Sequence, residues 1–208
     1  PLCSGRRSAK SEPVTDDAPK LPRRFYKTTS VTERDGGFAV LLDERSLRTP
    51  GGTLFTAPTR ALADLCASEW EAQGEYIVPA TMPASQLAFA TLDWTKKNRD
   101  QLCDYVTGFG ETDLCCHRAD TPGDLVAAQS KLWDPIVKWA ADDLGVALPV
   151  VSGIVAARVE PATLAKIRAH AAALDDFHLT ALSQSTGLAG SALIGLAFVR
   201  GELDAEQA

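Results

Sequence analysis

Residues 69–94, EWEAQGEYIVPATMPASQLAFATLDW, decide how the rest of the chain is read. They begin as the end of an amphipathic helix. Leu62, Leu65, Cys66 and Trp70 recur at i, i+3, i+4 and i+8, one face of a 3.6-residue period. Gly74 is expected to stop that helix, because glycine turns left-handed at little steric cost. A short extended piece follows, Tyr76-Ile77-Val78-Pro79. Pro83 then pre-sets φ for the first turn of a second helix, expected to carry Leu87, Thr91 and Trp94 on one side. A segment so dense in large apolar groups must be buried, in the chain's own core or against a partner.

Outward from this stretch, composition sets the bounds. The chain has 208 residues, 45% of them hydrophobic, and a formal net charge of −6. That length supports one large domain or two small ones with a real core. The acidic balance argues against non-specific nucleic-acid binding, which needs clustered cations. No uncharged apolar run reaches the ~18 residues of a membrane span, so no membrane insertion is expected. Five cysteines, Cys3, Cys66, Cys103, Cys115 and Cys116, make an odd number in a chain that is not small. Reduced thiols in a reducing compartment are the better reading. The first residues carry no apolar signal-peptide core. A bacterial cytoplasm is expected, with the mitochondrial matrix as the alternative.

Residues 1–22 are rich in Ser, Pro and charge and read as a mobile tail. Residues 23–95 read as a small α+β domain. Strands are expected over Phe25–Val31 and Phe38–Leu42, joined by the Asp35-Gly36-Gly37 turn, with a further hairpin about Pro50-Gly51-Gly52. A lone hairpin is marginal in water, so the sheet needs the Leu62–Trp70 helix as a cover. Residues 96–208 read as helix almost throughout. Apolar stripes fall at Leu102, Tyr105, Val106 and Phe109, and at Leu125, Ala128, Leu132 and Ile136. Asp134-Pro135 is expected to cap and restart a helix that ends at Gly145. Pro161 opens another, and two more are expected over 175–186 and 190–200, with Gly187 and Gly201 as stops. Residues 202–208 resemble the start of one further helix. The fold class is therefore α+β, a small β-containing domain followed by a helical bundle.

Chemistry is hard to find. Cys115-Cys116-His117 is the most tempting group, and a thiol- or metal-dependent enzyme is the alternative function it suggests. Zinc ligands are normally spaced so that two side chains reach one ion, whereas three adjacent residues diverge. A Cys–His nucleophile also needs an orienting third residue. Buried thiols are the plainer account. His170 and His178 read as solvated or capping histidines. Gly187-Leu188-Ala189-Gly190-Ser191 lacks the Lys-Ser/Thr that a phosphate loop requires. No metal or cofactor is expected. Trp70, Trp94, Trp133 and Trp139 remain. Core packing explains each of them, and tryptophan is also enriched at interface hot spots. Such a composition fits a binding protein better than an enzyme.

An ordered series of short motifs adds to this. Arg24-Phe25-Tyr26-Lys27 is followed by Leu42-Asp43-x-Arg45-x-Leu47-x-Thr49-Pro50, then Glu69-Trp70-x-x-Gln73 and Ile77-x-Pro79-x-Thr81-Met82-Pro83, with Leu87-Ala88 and Asp93. Thr112-Asp113-Leu114-x-Cys116-x-Arg118, Gln129, Trp133-Asp134-Pro135, Gly153-Ile154 and Gly190-Ser191 come next. Over about residues 23–200 the chain resembles the assembly chaperones for the alpha subunit of the F-type ATP synthase catalytic head, mitochondrial assembly factor 2 and its alphaproteobacterial relatives. The resemblance implies a β-containing N-terminal domain joined to an orthogonal helical bundle, and a chaperone that hydrolyses no ATP. Such a chaperone shields the face of the free alpha subunit that later meets the beta subunit. It implies a monomer when free, since a cover for one interface need not self-associate. Glu69, Trp70, Arg118, Trp133 and Asp134 are the residues expected to contact the client or support the contact. The chain departs from the family at His117, where relatives carry Tyr, and at Arg158, where Gln is expected. Family members also continue with a further helix and an acidic, tryptophan-containing tail.

Overall fold

A computed structural model describes residues 21–34, 36–153, 155 and 157–208. The expected tail therefore lies almost wholly outside the described residues, as do Asp35 of the first turn and Ile154. The chain opens with residues 22–24 paired to 75–77: Ile77 N–H donates to the Pro22 carbonyl at 2.8 Å and Arg24 N–H to the Glu75 carbonyl at 2.9 Å. Strands β1 (Thr29–Arg34) and β2 (Gly37–Leu42) form an antiparallel hairpin, with Thr29 opposite Leu42. β2 also pairs with β3 (Arg45–Ser46) and is the central strand. Further pairing by Phe38 with Ala57 and Arg48 with Leu54 extends this sheet. The first strand starts four residues later than Phe25. Phe25 is exposed, and Asp43 holds this turn by accepting the backbone N–H groups of Lys27 and Thr28, each at 3.0 Å. Those bonds keep its carboxyl below the usual range.

Helix α1 (Arg60–Glu71) covers the sheet, capped by Thr59, whose hydroxyl accepts the Leu62 N–H. It buries Ala63, Cys66, Ala67 and Trp70. Leu65 is 53% exposed and Leu62 only half-buried, so the buried face is made by Ala63, Cys66, Ala67 and Trp70. The helix stops before Gly74, at Ala72 in right-handed geometry. Gln73, not a left-handed glycine, ends it. Its side-chain amide donates to the Glu69 carbonyl and its oxygen accepts the Val78 N–H at 2.7 Å, turning the chain into 76–82.

Helix α2 (Pro83–Asp93) begins at the expected proline. It buries Ser85, Ala88 and Thr91, while Leu87 and Trp94 lie on its solvent side. Asp93 accepts from the Thr49 hydroxyl at 2.6 Å and from Gly51 N–H at 2.8 Å, fastening α2 to the second hairpin. A first core collects around Val40, Phe55, Trp70, Ile77 and Met82.

Helix α3 (Arg99–Phe109), the short strand β4 (His117–Arg118), helix α4 (Gly123–Leu144) and β5 (Val151–Ser152) follow, β4 and β5 pairing in parallel. α5 (Pro161–Ala172), α6 (Asp176–Ala189) and α7 (Ala192–Val199) complete the chain. A second core gathers Val106, Ile167, Leu179, Leu182, Leu193 and Leu196. α4 does not restart at Asp134-Pro135 but runs through Pro135. Its N-terminal half lies in solvent, with Leu125 and Leu132 exposed and only Ile136 of the expected stripe buried. α6 likewise passes Gly187 and stops at Gly190, whose φ of +66° provides the left-handed turn. Residues 202–208 form turns, not a helix. The mixed α+β class is as expected.

The two cores meet through hydroxyls. Thr180 of α6 donates to the Asp176 carbonyl and lies 2.9 Å from Thr91 Oγ1 and 2.7 Å from Thr95 Oγ1, all three buried. Phe177 of α6 packs on the first core. Glu69 shows how much one motif residue contributes. Its two carboxylate oxygens accept the N–H groups of Ala84 and Ser85, each at 2.8 Å, at the start of α2. An anion there meets orphan donors and the positive end of the helix dipole. Glu69→Ala is expected to lower unfolding stability by about 1–2 kcal/mol, measured by urea denaturation, with the secondary structure unchanged by circular dichroism.

Candidate functional site

Asp113 is the most heavily used polar group of the second half. It is buried and caps the turn 114–116, accepting the Cys115 N–H at 3.0 Å. The same carboxylate accepts the Ser191 hydroxyl at 2.6 Å and the Leu193 N–H at 3.1 Å. Ser191 is itself the N-cap of α7. α7 is apolar throughout, ALIGLAFV, and six of its eight residues are buried, so no water can reach its first N–H groups. Asp113 and Ser191 supply those acceptors together. Burial pushes the Asp113 carboxyl above its ordinary value, and the Ser191 and backbone hydrogen bonds pull it back.

Arg118, 7% exposed, follows on the same loop. Its Nε donates to the Cys115 carbonyl at 2.7 Å, Nη2 lies 2.9 Å from Asp134, and the guanidinium sits 5.3 Å over the Trp133 ring. Arg118, Trp133 and Asp134 are therefore brought together, and Asp134 alone of the three is exposed. Glu69 and Trp70 lie in the other half. Trp70 is buried against Tyr26 and Phe89, and Tyr26 donates its hydroxyl to the Trp70 carbonyl. The five residues thus form two clusters: Glu69 and Trp70 tie α1 to the start of α2 and to Tyr26, and Arg118 ties its loop to Trp133 and Asp134 of α4.

Cys115 and Cys116 are fully enclosed, and burial raises both thiols to about 12. Thiolate, the nucleophile and metal ligand, is scarce at neutral pH under that shift. His117 points Nδ1 to the Asp113 carbonyl at 3.0 Å. Among the described residues no group of three or more His, Cys, Asp or Glu side chains could hold a metal ion. The arrangement is that of packed thiols behind a capped helix.

The exposed apolar surface lies elsewhere. One face of α6 is buried through Leu179, Leu182, Ser183 and Thr186. The other presents Ala181, Gln184 and Leu188, with Leu188 89% exposed. Three adjoining grooves share these residues. The first runs past Leu62, Leu65 and Leu87 to Ala181. The second continues from Leu87 and Ala181 to Leu188, Ile194 and Phe198. The third joins Leu188 and Gln184 to Trp94 and Tyr105. The first two grooves are apolar, while the third mixes Trp94, Tyr105 and Leu188 with Gln101, Ser183 and Gln184; an exposed apolar patch is a candidate interaction site.

The family model of the ATP12 chaperone protein matches residues 23–141. The chain belongs to the ATP12 chaperone family. It is 41% identical to Atp12 of Paracoccus denitrificans, over 89% of this chain and 80% of that one, and the two structures superpose with a TM-score of 0.84. A protein of Agrobacterium tumefaciens is 38% identical over 90% of this chain and 70% of its own, with a TM-score of 0.82. The mitochondrial protein atp12 of Schizosaccharomyces pombe is 26% identical over 203 residues, 89% of this chain and 68% of that one. The ATP12 resemblance covers the α+β fold as well as the motifs.

Sequence reasoning did not single out Leu188, or Leu65 and Leu87 as surface residues. A signal existed for α6: its apolar residues are not confined to one stripe, which in a surface helix leaves one side uncovered. Asp113 was part of a motif, but its partner Ser191 lies 78 positions away.

Two outcomes test this account. Asp113→Ala leaves the Cys115 and Leu193 amides and the Ser191 hydroxyl without their acceptor, and is expected to cost about 3 kcal/mol or more in urea unfolding. The thiols of Cys66, Cys115 and Cys116 stand at about 11, 12 and 12 in the folded protein against 9.0 when unperturbed. Groups raised on folding contribute stability that is present below about pH 9 and lost as pH climbs toward 12. Unfolding free energy measured from pH 8 to 11 is expected to fall, and less steeply in a Cys115→Ala, Cys116→Ala double variant.

Proposed function

We propose that this ATP12-family chain is an assembly chaperone that binds the free alpha subunit of the F-type ATP synthase catalytic head. It shields that subunit's interface until the beta subunit replaces it. The observation that carries the reading is the join of family membership with an apolar strip on the surface. An orphan subunit exposes a greasy interface that aggregates, and a reversible apolar cover prevents this. The resemblance of the motif series to the alpha-subunit chaperones supports this choice of client.

The chaperone works by binding alone. The sequence has no phosphate loop, and the buried thiols near Cys115 are poorly suited to nucleophilic work. Among the described residues no helix is long and apolar enough to cross a membrane. The setting we favour is a bacterial cytoplasm, where an alpha subunit leaves the ribosome before its partner is at hand. Free chaperone is a monomer.

Glu69, Trp70, Arg118 and Trp133 act by holding the binding surface in shape, while Asp134, with a side chain 61% exposed beside the buried Arg118, touches the client directly. Co-expression with the alpha subunit is expected to keep that subunit soluble and to yield a co-purifying complex. Asp134→Asn, which keeps an acceptor for Arg118, is expected to weaken the complex at least tenfold while lowering the unfolding midpoint by only about 4 °C or less. An alpha subunit equally insoluble with and without the chaperone removes the proposed client.

A further inference from the structure

The apolar strip has a measurable shape and an electrostatic setting. Along α6 its outward residues, Ala181, Gln184 and Leu188, recur at i, i+3 and i+7. At ~1.5 Å per residue this is a ridge of roughly 10 Å, two turns of helix. Grooves flank it on both sides, toward Leu65 and Leu87 and toward Trp94 and Tyr105. None of the residues lining the three grooves is Lys, Arg, Asp or Glu.

Arg60 stands near the first groove and Lys96 and Lys97 near the third, whereas the edge of the middle groove is acidic. From Arg99 to Ala208 there are eight lysines and arginines against fifteen aspartates and glutamates, while the rest of the chain is nearly balanced. Four of those eight cations, Arg99, Arg118, Lys138 and Arg168, are already ion-paired. Ala205 and Ala208 form one edge of the middle groove, on the turn that bears the exposed Glu202, Asp204 and Glu206. Asp175 lies at the far end beside His178, which lines the first groove. Low-dielectric walls beside the three carboxylates of residues 202–206 focus a negative potential at that end of the middle groove.

We infer that the strip takes a cationic amphipathic helix of the client. Its apolar face seats along Leu65, Leu87 and Leu188, and its lysines or arginines meet the acidic turn 201–208. The inference rests on the chaperone reading for the identity of the client, and on the structure alone for the chemistry of the segment. A helix laid in a groove is read by apolar anchors at i, i+3 or i+4 and i+7, the spacing this ridge presents. The neutral lining and acidic rim select the sign of the flanking charges.

The test uses the whole chain and two synthetic helical peptides of 16 residues. Both carry leucine on one face, with lysine on the other face of the first and glutamate on that of the second. Fluorescence anisotropy is expected to show binding of the lysine peptide, weakened at least tenfold by Leu188→Glu and by Leu65→Glu and weakened by added salt, and at least tenfold weaker binding of the glutamate peptide. Both leucines are exposed, so both variants are expected to melt as the parent does. Equal binding of the two peptides, or variants that bind as the parent does, overturns the inference. So does sedimentation showing a dimer that Leu188→Glu dissociates, because the occupant is then a second copy. A pull-down of the alpha subunit separates the two readings. Capture by parent and Leu188→Glu alike removes the surface and leaves the chaperone. Peptide binding without alpha-subunit capture removes that client and leaves the surface.

Discussion

A buried helix must find acceptors for the N–H groups at its start. α7 is apolar on every side and lies in the middle of the second core, so this requirement governs much of the chain around it. The carboxylate of Asp113 meets it from a loop 78 residues upstream of Ser191. Fixing Asp113 fixes the turn that follows, which places Cys115 and Cys116 in the core and delivers Arg118 to Asp134 and Trp133. The Leu114 N–H also donates to the Gly190 carbonyl, closing the same joint from the other side. A motif that reads as chemistry, two cysteines and a histidine, is thus the lining of a helix cap.

The first half follows the same logic on a smaller scale. Glu69, Gln73, Asp43 and Asp93 each spend their side-chain acceptors on backbone or hydroxyl donors of a neighbouring segment. For the three carboxylates the type is fixed by geometry, since an Asp or Glu oxygen accepts two or more bonds without needing a donor of its own, while Gln73 both donates and accepts. The family's motif residues are in this sense joinery. The surface available to a partner is built from residues with no such duty, above all Leu188.

Legibility in the sequence divides along physical lines. Pro83 and Gly145 mark element ends because each carries a local conformational preference, and both do so in the structure, whereas the end of α6 lies at Gly190 and not at the expected Gly187. Gly187 and Pro135 carry the same preferences and are overridden. Gly187 lies inside α6, where the Tyr105 hydroxyl would stand 2.6 Å from any Cβ, so packing and not a turn explains it. Pro135 costs α4 one hydrogen bond, and the helix continues because Ile136, Ala140 and Leu144 beyond it are held in the core. Periodicity located α1 and α2 but not their buried faces. Leu62, Leu65 and Leu87 have helical spacing, yet what covers a face depends on neighbours far away in sequence. The candidate surface was illegible for the same reason, since exposure of Leu188 is a property of the packed bundle.

The seam between α6 and α7 has one more consequence. A Cβ at Gly195 would fall 2.3 Å from the Thr186 hydroxyl oxygen, so the two helices touch with no slack between them. Thr186 lies half a turn from Leu188. The ridge is therefore braced from behind, and its anchors stand in place before anything lands on them. An incoming segment has to organise itself only, because the platform has little conformational freedom left to surrender.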